Sequence, residues 1–312
     1  MPLPDVPAGE RADLRLKVSE TYTAAAVDVP VTVIRGVAPG PTAFVTGALH
    51  GDELNGVAVV HDLLYEVDLH DLAGTLVLVP VVNVLGVTAR SRYLPDRRDL
   101  NRHFPGTPDG SAAARYADAV FRTVVEPCDL GIDLHTATVR RANAVQARGD
   151  FRADPRLAHI ARASGLPFVV QARRRPGSLR WAAARKGIAC LVFEGGEPLR
   201  FERSVVAMVL DGVLNVLTAA GMLPGRTARL PDQQVVCPGS RWLRAEVGGI
   251  LDSKVRLGQH VTAGDELWST INVFGRERNS VSAPVNGWVI GLTTLPMVQP
   301  GDAVLHLGLP AD

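Results

Sequence analysis

Four short apolar runs in this chain each stop at a polar residue, and helical patterns separate them. Ala43–Val45 leads through Gly47 to His50, Gly74–Val82 ends at Asn83, Asp129–Leu134 ends at His135, and Ile188–Phe193 ends at Glu194. A short apolar run bounded by turn residues reads as a buried strand, and regular alternation with amphipathic helices implies parallel strands. The expected fold class is α/β, a mostly parallel or mixed sheet with helices on both faces. Parallel strands bring their carboxyl ends to one edge, where open α/β sheets bind ligands. Four polar ends on that edge point to one shared site.

The first of these ends has the most specific chemistry. In His50-Gly51-Asp52-Glu53 an imidazole closes the strand, and Glu53 opens a helix whose amphipathic pattern reads through Leu54, Val57, Ala58, His61, Leu64 and Tyr65. His-x-x-Glu across such a turn can aim both groups at one point, two thirds of a His2Glu zinc site. The tetrapeptide alone is better read as a solvated loop histidine beside a glutamate favoured by the helix dipole, so the metal reading needs support from elsewhere in the chain. His135, within Asp133-Leu134-His135-Thr136, is the natural third ligand, with a nearby carboxylate, Asp133 or another, available to orient its second nitrogen. Glu194 is then the strand-end carboxylate left over for proton transfer.

Residues 84–109 read as a long loop, and loops of that length inside a domain are usually functional. It carries Arg92, suited to a developing oxyanion, and Asp99-Leu100-Asn101-Arg102, whose amide and guanidinium can receive a carboxylate. Helices are expected over Ser111–Val125, Asp154–Ser164, Ser178–Lys186 and Phe201–Ala220. Further strands are expected over Val27–Ile34, Ala142–Ala147 and Phe168–Gln171, after an irregular beginning.

From about Gly225 the texture changes to short β runs punctuated by glycine, with an approximate repeat around Gly258-Gln259 and Gly301-Asp302. The expected division is a catalytic α/β unit over 1–224 and a small β-sandwich or barrel over 225–312, reasonable for 312 residues. The segment Ala283–Gly287 has no lysine at a hairpin tip, which argues against a lipoyl-type carrier. A net charge of +1 gives no electrostatic argument for nucleic acid or an anionic membrane. Cys128, Cys190 and Cys237 are too scattered for a disulfide framework or a cysteine zinc site, and they fit a reducing compartment. The N-terminus has no signal-peptide pattern. Val205–Ala220, interrupted by Asp211 and Asn215, is shorter than the ~20 residues a bilayer span needs. The expected location is cytoplasmic, with homo-oligomerisation left open.

Taken together, His50-Gly51-Asp52-Glu53, Arg92 with Asp99-Leu100-Asn101-Arg102-His103-Phe104-Pro105-Gly106, Asp133-Leu134-His135-Thr136 and Phe193-Glu194-Gly195-Gly196 resemble the succinylglutamate desuccinylase/aspartoacylase family. This is the deacylase branch of the zinc carboxypeptidase superfamily, and the resemblance covers roughly residues 40–200. It implies one Zn2+ per chain held by His50, Glu53 and His135, and Glu194 as general base and acid. It also implies Arg92 polarising the scissile carbonyl, with Arg90 competing for that role, and Asn101 and Arg102 holding a substrate carboxylate. Arg180 is the nearest counterpart of a further substrate arginine, with Arg173–Arg175 as alternatives. The implied activity is zinc-dependent removal of an acetyl- or succinyl-type group from an N-acyl amino acid or related small carboxylate. A metallocarboxypeptidase and a non-catalytic binding protein stay open. A β domain capping the cleft favours small substrates over peptides, and a full set of ligands and base disfavours a mere binder.

Overall fold

The computed structural model describes residues 5–231, 233–276 and 278–310. The chain opens with β1 (Arg11–Glu20), β2 (Ala26–Arg35), β3 (Ala38–Thr46), α1 (Asn55–Tyr65), β4 (Ala73–Val79) and α2 (Val84–Ala89). It continues with α3 (Ala112–Val120), β5 (Leu130–His135), β6 (Arg141–Gly149), α4 (Arg156–Ala163), β7 (Phe168–Gln171), α5 (Leu179–Arg185), β8 (Ala189–Gly196) and α6 (Arg203–Ala219). The remaining elements are strands: β9 (Val235–Cys237), β10 (Gly239–Arg244), β11 (Gly249–Ser253), β12 (His260–Val261) and β13 (Glu266–Ile271). They end with β14 (Arg278–Ser282), β15 (Gly287–Thr293), β16 (Met297–Val298) and β17 (Ala303–Leu309).

Thirteen strands form one mixed sheet, whose main path runs β1-β2-β4-β3-β5-β8-β6-β15-β17-β10. Its centre, β4-β3-β5-β8, is parallel throughout. The flanks β2 and β6 join it antiparallel. Helices cover both faces, as the apolar runs imply, because a strand buried on both sides has no polar face to show. Alternation along each strand sorts side chains into two cores. Ala43, Val45, Leu76, Leu78 and Ile132 pack with residues of α1, α4 and α6. Phe44, Val77 and Val79 pack on the other face with residues of α3 and α5.

After α6 no further helix occurs among the described residues. β11, β13, β14 and β16 form a separate antiparallel sheet, packed around Trp268, Leu267 and Leu305. β10, β15 and β17 instead extend the large sheet, because β15 pairs with β6. Hydrogen bonding is therefore continuous from the α/β region into the all-β region. No helix among the described residues is long and apolar enough to cross a membrane.

Three local expectations change. The irregular beginning contains β1, an edge strand with charged residues along its exposed face, so its apolar signal is weak. The loop over 84–109 begins with α2, capped by Asn83, whose Oδ1 accepts from Gly86 N at 2.8 Å. β4 stops at Val79, so Asn83 lies beyond the strand and serves as a helix cap. The expected helix over Ser111–Val125 is α3 followed by a π turn over Phe121–Val125.

Packing at the sheet centre is tight at Gly131, where an added Cβ would sit 2.0 Å from the ring of the fully buried Phe44. Gly131→Ala should cost about 1–3 kcal/mol of stability, the usual range for overpacking. Denaturant titration checks this, and an unchanged midpoint would mean that Phe44 has room to move.

Candidate metal centre and active site

Between β3 and α1 the chain folds through a turn that admits no side chain at Gly51. A Cβ there would lie 2.1 Å from the carbonyl carbon of Gly86. This close approach holds His50 and Glu53 under the start of α2, and both are almost fully buried. β5, the neighbour of β3, ends at His135, also buried.

The three side chains converge. Glu53 Oε1 lies 2.8 Å from His50 Nδ1 and Glu53 Oε2 lies 2.7 Å from His135 Nδ1. The two Nδ1 atoms are 3.2 Å apart, and one ligand atom from each residue fits within 4.8 Å of the others. Each ring's far nitrogen meets a carboxylate. His135 Nε2 is 2.8 Å from Asp133 Oδ2, and His50 Nε2 is 3.2 Å from Asp99 Oδ1. Asp133 is itself held by the Thr46 hydroxyl at 2.8 Å, and Asp99 by Arg92 Nη2 at 3.3 Å. Carboxylate–histidine pairs of this kind set ring orientation at metal centres. Asp52 makes no hydrogen bond to the cluster and acts on it only through its charge. Its carboxylate is buried without a hydrogen-bond partner among the described residues, and burial with the adjacent Glu53 charge raises its pKa.

The charges favour a cation. Burial opposes ionisation of Glu53, but His50 and His135 outweigh it and hold the carboxyl well below its usual range. Burial likewise opposes a charged His135, yet Asp133 and Glu53 raise its pKa well above the ordinary value. Glu53, Asp99 and Asp133 surround two imidazoles whose converging nitrogens can share one divalent ion. Imidazole and carboxylate donors suit that ion, so the residues present fit a metal.

A cavity of about 280 Å3 opens on this cluster. Glu194 faces it from β8, with Oε2 accepting from Asn143 Nδ2 and Arg148 Nη1, each at 2.9 Å. Arg92 lines the cavity and donates to Glu53 Oε1 at 2.8 Å. Arg90 is the exposed C-cap of α2 and lies outside the lining. Asn101 and Arg102 form part of the wall. Asn101 Oδ1 accepts from Leu179 N at 2.9 Å, which ties this loop to the start of α5. Arg180, Arg173 and Arg175 also line the cavity, whereas Arg174 pairs with Asp150 at 3.5 Å. Arg180 Nη2 donates to Arg173 O, while its buried Nη1 has no partner among the described residues.

Sequence reasoning gave no role to Asp99 beyond its place in a motif, and it missed Asn143, Arg148, Trp242 and His306. The last two come from β10 and β17 and wall the cavity as a stacked pair, with ring centroids 4.4 Å apart and planes 7° apart. Burial, with Arg148 and Arg141 nearby, lowers the His306 pKa from 6.5 to about 3. An unfolded chain would therefore take up a proton at His306 between those values while the folded chain does not. Its contribution to stability is complete above about pH 6.5 and is lost as pH falls toward 3. The pH dependence of unfolding free energy should be shallower in His306→Phe over this window, and identical slopes would contradict the assignment.

A family model for the succinylglutamate desuccinylase/aspartoacylase catalytic domain matches residues 39–220. An N-alpha-acetyl-L-2,4-diaminobutyric acid deacetylase from Halomonas elongata is 31% identical over 284 residues, covering 87% of this chain and 81% of that protein. Among solved structures, the product-bound ectoine utilization protein EutE (DoeB) from Ruegeria pomeroyi superposes with a TM-score of 0.85 at 28% identity, covering 98% of both chains. A succinylglutamate desuccinylase/aspartoacylase from Rhodobacter sphaeroides shares the fold, with a TM-score of 0.86 at 24% identity over 99% of both chains. On these matches the chain belongs to the succinylglutamate desuccinylase/aspartoacylase family.

Proposed function

We propose that this protein is a zinc-dependent amidohydrolase that removes an acyl group, of acetyl or succinyl type, from an N-acyl amino acid or related small carboxylate. The observation that carries this reading is the convergence of His50, Glu53 and His135 on one point, with Glu194 in the same cavity. His50 and His135 would hold zinc through Nδ1 and Glu53 through its carboxylate. Zinc bound there supplies Lewis acidity and lowers the pKa of water toward neutrality. Glu194 takes a proton from the attacking water and returns it to the departing amine nitrogen as the C–N bond breaks. Arg92, which touches Glu53, faces the charge that develops on the carbonyl oxygen.

Seven arginines line the cavity against three carboxylates, Glu53, Asp133 and Glu194, each already held by neighbouring groups. That surplus supports a substrate carrying at least one carboxylate. Arg102, the amide of Asn101 and the unpartnered Nη1 of Arg180 are the donors offered to it. We take residues 1–224 as the unit that carries the chemistry and 225–312 as an all-β unit that walls the cavity. The absence of helices after α6 among the described residues supports this division. A cavity of about 280 Å3 walled by Trp242 and His306 favours a small N-acyl compound over a peptide C-terminus.

The test is amine release from a panel of N-acetyl and N-succinyl amino acids, including N-acetyl-diaminobutyrate, against a blocked dipeptide. Faster hydrolysis of the dipeptide would favour the peptidase reading, and no hydrolysis by zinc-loaded enzyme would remove both. Glu194→Gln should retain zinc and substrate affinity while kcat falls about 10²–10⁴-fold. Loss of zinc would make Glu194 a ligand instead. Arg102→Ala should weaken binding by ~1.5–3 kcal/mol, the range for a hydrogen bond to a charged group. An equal loss on a substrate lacking the carboxylate would indicate collapse of the loop.

A further inference from the structure

β6 sends two side chains to a single atom of Glu194. Asn143 Nδ2 and Arg148 Nη1 both donate to Oε2, and Oε1 receives no hydrogen bond among the described residues. The terminal torsion of a glutamate is broad, so the side chain alone does not fix its carboxylate plane. Two donors on one oxygen, one of them charged, do fix it, and they leave the other oxygen open to the cavity.

The backbone is built to allow this. Opposed residues in an antiparallel ladder share a face, and faces alternate along each strand. Arg148 opposes Val192 and Gln146 opposes Glu194, so Arg148 lies on the Glu194 face. Regular alternation would put Asn143 on the other face. Instead the register shifts between Asn143 and Gln146, and Asn143 opposes Gly196, which is on the Glu194 face. Such a bulge re-aims a side chain. On its other edge β6 is paired with β15, Asn143 opposite Gly291. A Cβ at Gly291 would lie 2.9 Å from Asn143 Oδ1, so the Asn143 amide rests over the bare glycine.

We infer that Asn143 and Arg148 are positioning residues that orient the Glu194 carboxylate for proton transfer, with β15 of the all-β unit holding Asn143 in place. This rests on the reading of Glu194 as acid and base. Asn143→Ala and Arg148→Gln should each lower kcat about 10–100-fold, the usual cost of losing a supporting hydrogen bond at a metal site. KM and zinc content should not change, measured on the N-acetyl amino acid of the panel that is hydrolysed fastest. In a Glu194→Ala background neither substitution should lower kcat further, and Arg148→Lys should recover part of the loss. Additive losses in that cycle, or a rise in KM alone, would overturn the inference, the latter making Arg148 a substrate contact. A crystal structure of the Asn143→Ala/Arg148→Gln double variant gives a readout independent of turnover. The Glu194 carboxylate should spread over several orientations, and one that stays as in wild type overturns the inference. Wild-type turnover in Glu194→Ala would instead remove the acid–base reading on which this one rests.

Discussion

The Glu53 carboxylate, with one oxygen on each of two buried imidazoles, is the interaction on which the rest of the site depends. Burying a carboxylate is costly unless nearby positive charge and hydrogen bonds compensate, and removing a partner from such a group leaves the full penalty. Here compensation comes from three parts of the chain: His50 on the same turn, His135 at the end of β5, and Arg92 from the segment after α2. That arrangement requires β3 and β5 to be parallel neighbours, so that the turn after β3 and the end of β5 meet on one edge. It also requires glycine at position 51, where the turn passes against α2. The sheet centre and the site are one construction.

A good part of this could be read from residues alone. Apolar runs that end in His50, His135 and Glu194 announce parallel strands whose polar ends line one cavity, and the helices on both faces follow from runs with no polar face. Asn83 shows the limit of that argument. It also ends an apolar run, but its side chain caps α2, and the composition of a strand end does not distinguish a cap from a ligand. β1 escaped notice because an edge strand with a charged face lacks the apolar signal on which a sequence reading relies. Asn143 and Arg148 were illegible for a sharper reason. A one-residue register shift decides which face Asn143 occupies, and no local pattern in β6 records the shift. Trp242 and His306 lie more than 45 residues beyond Glu194, in a segment legible only as β, and they reach the cavity through long-range strand pairing.

The all-β segment is joined to the α/β region by two strand pairs, β6–β15 and β7–β9, which tie it to the site more closely than a flexible linker would. β15 continues the large sheet past β6, and β17 follows β15, so the wall at Trp242 and His306 is aligned with the strand that supports Glu194. Where a sheet has a buried face its register is strongly specified, since a slip by one residue turns every side chain over. Cavity wall and carboxylate orientation are therefore set by the same ladder.

In the proposed centre His50, Glu53 and His135 would bind one zinc ion, with both histidines using Nδ1 because Asp99 and Asp133 occupy their Nε2 atoms. Anomalous diffraction recorded on either side of the zinc absorption edge, from crystals of the zinc-loaded protein, tests it most directly. A single strong peak is expected about 2.0–2.2 Å from both Nδ1 atoms and from a Glu53 oxygen. Absence of a peak at this cluster, or a peak coordinated through Nε2, would contradict it.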